Sequence, residues 1–166
     1  MPKLLAEINK TPEIKTKLFQ AEFLTTTSED ALITLIYHRP LGKEWEESAT
    51  ELSKKLSCNI IGRSRKQKLV LDEDYVTEKM DVDGESYKYQ QVEASFTQPN
   101  AAICADMLSW AKKVSKNLAG DLLELYCGNA NFTLPLSKNF EKGVATERSK
   151  TAVNAALRNI QDNQCE

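Results

Sequence analysis

The stretch Leu122-Leu-Glu-Leu-Tyr126, followed at once by Cys127-Gly-Asn-Ala130, constrains this chain more than any other. A short apolar strand that runs into small residues and then a helix is the opening of a parallel α/β layer, because parallel strands need a crossover between them. The pattern then repeats. Asp121–Tyr126 reads as a strand, Asn131–Ser137 as a short helix, Gly143–Thr146 as a second strand, and Lys150–Asn163 as a helix. Upstream, Pro99-Asn100 opens a helix in which Ala101, Cys104, Leu108, Ala111 and Val114 or Ser115 share a face, and Gly120 closes the connection. This order predicts the first β-α-β-α of a doubly wound sheet. Two parallel strands alone leave edges and faces uncovered, so the sequence is expected to be part of a longer domain.

The first half has a different periodicity, which changes near residues 95 to 100. Lys17–Leu24 and Ala31–Tyr37 predict a hairpin around Ser28-Glu-Asp30. Trp45, Ala49, Leu52 and Leu56 recur at helical spacing behind Gly42, with Glu44, Glu46 and Glu47 in the first turn, so a helix is expected over 43–56. Asn59–Gly62 and Lys68–Leu71 predict two short strands, and Tyr87–Val92 another after the turn Asp81-Val-Asp-Gly84. The fold class expected is α/β with an α+β part: a small antiparallel sheet plus helix over 1–95, then the parallel layer over 96–166.

Composition narrows the partners. Of 166 residues, 41% are hydrophobic and 28% charged, the balance of a chain that folds. No apolar run approaches the roughly 20 residues of a membrane span, and Met1–Lys10 does not read as a leader, so the expected compartment is cytoplasmic, with no membrane partner. Cys58, Cys104, Cys127 and Cys165 form no C-x-x-C pair, and no metal site is expected. The net charge of −2 gives no general support for nucleic-acid binding. Arg63, Arg65, Lys66 and Lys68 nevertheless cluster in one loop-like stretch, which reads either as a basic hairpin tip or as a contact to RNA phosphates.

Chemistry concentrates at the turn. Small residues at Gly128 and Ala130 admit a ligand close to the backbone, and Glu147 stands at the end of the next strand, where an acid accepts from both hydroxyls of a ribose. Glu147 also fits as a cap for the helix that follows. With one glycine in the turn, and with Asn129 and Asn131 beside it, the site suits a zwitterionic amino-acid cofactor better than a dinucleotide pyrophosphate.

Glu124-Leu-Tyr-Cys-Gly-Asn-Ala-Asn-Phe132, Gln91-Val-Glu-Ala-Ser-Phe-Thr-Gln-Pro-Asn-Ala101, Lys17-Leu-Phe-Gln20 and Leu24-Thr-Thr26 together resemble the bacterial tRNA uracil-5-methyltransferases, in family order across nearly the whole chain. The resemblance implies a Rossmann-like S-adenosylmethionine-dependent methyltransferase fold. It also implies methylation of carbon 5 of a T-loop uridine, with the T-arm of tRNA as partner. It makes Gln98, Tyr126, Gly128, Asn131 and Glu147 the cofactor-binding residues. Gln98 and Asn131 supply amides to the methionine end, Tyr126 supplies ring packing, and Glu147 holds the ribose. Cys127 belongs to the cofactor turn in this family and is not the nucleophile. The cysteine that adds to carbon 6, the carboxylate base and an Asp-Pro-Pro segment are expected beyond residue 166. Cys165 lacks the nucleophile's context, so no catalytic residue is assigned and no turnover is expected from this chain alone. Part of the family's N-terminal RNA-binding region is likewise expected to be missing. Ala130 departs from the pattern where a glycine is expected. A second reading is a non-catalytic RNA-binding module built on the first half, with Phe19, Phe23 or Tyr37 stacking on bases, although Phe23 and Tyr37 read more naturally as sheet core.

Overall fold

A computed structural model describes residues 2–165. They form two compact units, one holding the chain up to Thr25 plus Glu29–Val76, the other holding Thr26–Ser28 and the chain from Thr77 onward. The units divide at Val76, earlier than the change in periodicity near 95, because the hairpin that precedes residue 95 packs with the later elements.

The first unit opens with α1 (Pro2–Lys10) and α2 (Pro12–Lys15), which sequence periodicity does not single out. Each is short, and only Leu4, Ile8 and Ile14 are buried from them, too few positions to establish a 3.6-residue repeat. Strands β1 (Leu18–Thr25) and β2 (Ala31–Tyr37) form the expected hairpin, and α3 (Lys43–Leu56) occupies the expected span. Strands β3 (Asn59–Ser64) and β4 (Gln67–Val70) complete a sheet of order β1-β2-β3-β4.

This sheet is mixed, which corrects the antiparallel expectation: β2 and β3 run parallel, with Leu35 opposite Gly62. The reason lies in the connection, since α3 carries the chain back across the sheet before β3 begins. The core beneath it contains Ile14, Leu35, Tyr37, Trp45, Ala49, Leu52 and Ile60. The Tyr37 hydroxyl donates to the Ile14 carbonyl at 2.9 Å, which ties α2 to the sheet.

Strand β5 (Tyr75–Val82), which enters the second unit at Thr77, and β6 (Glu85–Val92) form a hairpin. Its turn was expected, but β5 itself was not. Asp83 and Gly84 both have positive φ, +54° and +78°, the geometry that lets a two-residue loop follow strand twist. Helix α4 (Ala101–Ser115) starts where Asn100 Oδ1 accepts from the Ile103 amide at 3.1 Å. Strands β7 (Leu122–Leu125) and β8 (Gly143–Thr146) pair in parallel around α5 (Thr133–Ser137), and α6 (Lys150–Asp162) follows with Ser149 as its cap. Met80, Tyr87, Tyr89, Cys104, Leu108, Leu134 and Ala156 make the core. Leu123 and Leu125 on β7 and Val144 on β8 are exposed, as are Ile103, Met107, Trp110, Val114 and Leu118, which form one stripe along and just beyond α4.

The Glu85 carboxylate gathers Lys138 at 2.6 Å, the Tyr87 hydroxyl at 2.7 Å and Lys112 at 3.0 Å. Together they depress its pKa from 4.5 to about 2, Lys138 most. A depressed carboxylate stabilises the fold fully above its ordinary value, and that contribution is lost as pH falls from about 4.5 through about 2. Because the side chain is 40% exposed, solvent weakens the effect. Glu85→Gln is therefore expected to flatten the acid limb of the thermal stability profile in this window, and roughly 1 M salt to mimic it in the native chain. Acid limbs of equal slope for the two proteins would refute the assignment.

Candidate functional site

The turn after β7 alternates backbone hands. Tyr126, Gly128 and Ala130 have φ of +59°, +58° and +67°. It is fastened to β8 where the Cys127 amide donates to the Thr146 carbonyl at 2.9 Å, and closed on itself where the Ala130 amide donates to the Cys127 carbonyl at 3.0 Å. Ala130, expected as a departure, does occupy a left-handed position while fully buried, at a cost of about 1 kcal/mol. A Cβ on Gly128 would meet nothing within 4 Å, so glycine is needed there for its φ, and the space beside it stays open.

That space is a cleft of ≈ 140 Å³. Gln98, Tyr126, Gly128 and Asn131, four of the residues predicted from sequence, line it together. Glu147 reaches the same turn from β8, with Oε2 accepting from the Gly128 amide at 3.0 Å. Its Oε1 accepts from the amides of Ser149 at 2.8 Å and Arg148 at 2.6 Å, so Glu147 joins the turn to the segment just before α6, while Ser149 itself caps the helix. The Ser149 and Arg148 amides, then that of Gly128, keep its carboxyl below the usual range, and it stays charged with acceptor lone pairs to offer.

Several cleft residues were not assigned to the site from sequence. Met80 and Gln91 come from the β5–β6 hairpin, whose first strand was not anticipated. Cys104 on α4 receives the Asn131 amide at 3.3 Å, and the Tyr89 hydroxyl donates to the Asn131 carbonyl at 3.1 Å. Glu124 accepts from the Thr133 hydroxyl, and burial raises its pKa. Burial also pushes up the thiols of Cys104 and Cys127, for Cys127 with help from Glu124 and Glu147, which disfavours thiolate and leaves neither primed for attack.

In the first unit the basic cluster sits on the β3–β4 hairpin, the first of its two sequence readings. Arg63 lies in β3, Arg65 and Lys66 form the turn, and Lys68, opposite Arg63 in β4, pairs with Asp74 at 2.8 Å. Phe19, 63% exposed, stacks on His38 with ring centroids 4.4 Å apart. Tyr37 is core as expected; Phe23 is exposed, contrary to the core reading, because β1 is an edge strand with no neighbour on its far side, although Phe23 stands opposite the buried Ile33. His38 was missed. It is the chain's one histidine and sits at the end of an apolar strand with no motif around it.

The family model for tRNA (Uracil-5-)-methyltransferase matches residues 1–166. The chain belongs to this family. Curated methyltransferase relatives named tRNA/tmRNA (uracil-C(5))-methyltransferase include one from Teredinibacter turnerae, 58% identical over 98% of this chain and 45% of its own length. Another, from Cellvibrio japonicus, is 57% identical over 100% of the chain and 45% of its own. The chain thus spans somewhat under half the length of the relatives it matches. Among solved structures it resembles the Pyrococcus abyssi tRNA (uracil-54, C5)-methyltransferase in complex with S-adenosyl-L-homocysteine. The TM-score is 0.70 at 14% identity, covering 99% of this chain and 44% of that one. The M. jannaschii tRNA m1G37 methyltransferase follows with a TM-score of 0.51 at 16% identity over 93% of the chain and 48% of its own. At such identities these likenesses establish a Rossmann-like methyltransferase fold. Among the described residues no helix is long and apolar enough to cross a membrane, and no cluster of three or more metal-ligating side chains occurs.

Proposed function

We propose that this chain supplies the first half of an S-adenosylmethionine site and part of the tRNA-contacting surface of a cytoplasmic enzyme that methylates carbon 5 of a T-loop uridine. One observation carries the reading: Glu147 accepts at 3.0 Å from the amide of Gly128, which lines a cleft together with Gln98 and Asn131. A carboxylate suits the two hydroxyls of a ribose, the amides suit an amino-acid end, and the exposed Tyr126 ring offers a face for packing. The donors and acceptors of the cleft fit the cofactor, which supplies a methyl group on a sulfonium when bound. The chain's own residues bind and orient it. Its cleft thiols are held up in pKa, and no residue here is assigned as nucleophile or base.

The first unit favours RNA. The stacked Phe19 and His38 rings lie beside Lys17, and Arg39 and Arg63 line a second hollow with His38. An exposed aromatic platform edged by cations stacks on unpaired bases and pairs with phosphates. Titrating the chain with S-adenosylhomocysteine is expected to show binding, and incubating it with tRNA and labelled cofactor to show no methyl incorporation. Incorporation would overturn the half-site reading; absence of binding would remove the cofactor assignment. If tRNA binding is salt-dependent and survives Glu147→Ala, the first unit acts as an RNA-binding module in its own right. Arg63→Ala and Arg65→Ala should then each reduce the salt slope by about 1.

A further inference from the structure

The outer edge of β6 is covered by side-chain amides. At its far end Asn163, just beyond α6, behaves as a strand residue would: Oδ1 accepts from the Lys88 amide at 2.9 Å and Nδ2 donates to the Lys88 carbonyl at 2.7 Å. One helical turn earlier Asn159 takes the next outward position, its Oδ1 accepting from the Gln90 amide at 2.7 Å. The spacing is natural, since four helical residues rise about 6.0 Å and two strand residues about 6.6 Å.

Asn159 differs from Asn163 in where its other hydrogen bond goes. Its Nδ2 donates to the Asn129 carbonyl at 2.9 Å, and the Asn129 side chain donates to the Gln90 carbonyl at 3.1 Å, closing a ring of turn, strand and helix. Asn159 is 1% exposed, so this amide has no water to exchange with. The peptide between Asn129 and Ala130 is thereby held at both ends, its carbonyl by Asn159 and its N–H by the Cys127 carbonyl. On either side stand Gly128 and the left-handed Ala130, a residue that relaxes away from positive φ unless its surroundings forbid it.

We propose that Asn159 is a positioning residue for the cofactor turn: from the far side of the layer it fixes the peptide plane that sets Ala130 and, through it, Gly128 and Asn131. This rests on the cofactor reading above. It predicts that affinity for the cofactor depends on a helix residue that does not touch the cleft.

The test compares Asn159→Ala, Asn159→Asp and Asn163→Ala in the 166-residue chain. The readouts are S-adenosylhomocysteine binding by calorimetry, Ala130 amide exchange by NMR, and melting temperature. Asn159→Asp, read at a pH where the carboxyl is ionised, keeps the acceptor for Gln90 and loses the donor to the turn, so it probes the turn without opening the β6 edge. Both Asn159 variants are expected to weaken binding on the order of ten- to a hundredfold and to speed Ala130 exchange. Asn163→Ala should lower the melting temperature and leave both other readouts at their native values. Native binding and exchange in Asn159→Asp, or an Asn163→Ala that matches Asn159→Ala in all three, would overturn the proposal. If the native chain fails to bind S-adenosylhomocysteine, the cofactor reading falls, while Ala130 exchange still decides whether Asn159 positions the turn.

Discussion

Gly62→Ala is expected to destabilise the first unit by about 3 kcal/mol and to lower its urea midpoint sharply. Gly62 sits in β3 opposite Leu35, and a Cβ there would lie 2.3 Å from Trp45 Cη2, 2.7 Å from Cζ2 and 2.6 Å from Leu41 Cδ1. The indole cannot swing aside. It is 1% exposed, packed edge-on to Tyr37 with centroids 5.8 Å apart, and it anchors α3. Either α3 lifts from the sheet or the core repacks around a displaced indole, and overpacking of this kind costs about 3 kcal/mol. That is a large share of the stability of a small unit. Urea unfolding in a Trp110→Phe background would follow it, because the two tryptophans divide between the units and Trp45 alone reports on the first. Gly42→Ala is the control, since a Cβ there meets nothing within 4 Å. Equal midpoints for Gly62→Ala and the native chain would show that the Trp45 indole yields to the added methyl without cost.

On the cofactor reading proposed above, in which Glu147 holds the ribose, Glu147→Gln is expected to weaken S-adenosylhomocysteine binding roughly a hundredfold by removing charge-assisted hydrogen bonds. Glutamine retains one oxygen for the Arg148 and Ser149 amides, so the start of α6 should survive and melting should change little. The carboxyl titrates below its ordinary 4.5, so affinity should stay level from neutral pH down to that value and fall only as pH drops through the depressed one. Calorimetry across pH would show both effects. Native affinity in the Gln variant would mean that Glu147 serves only the turn and the helix.

What could be read beforehand follows from how local each signal is. The spans of α3 and β8 were legible because periodicity, glycine and cap residues lie next to the elements they delimit. The cleft was legible because Gln98 and the turn residues fall in contiguous motifs that the fold brings together. Phe23, β5 and the first two helices were not: an exposed aromatic and a buried one look alike in a strand, and helices of nine and four residues hold too little pattern to register.

By itself the sequence determined the strand–turn–helix order around Gly128, the family, and four of the residues that line the cleft, because backbone propensities and contiguous motifs act over a few residues. Only the tertiary structure decided that β2 and β3 run parallel, that Gly62 must be bare beneath Trp45, and that Asn159 reaches the Asn129 carbonyl. Each of those depends on groups distant in the chain competing for one place, and such competition is resolved when the layers pack.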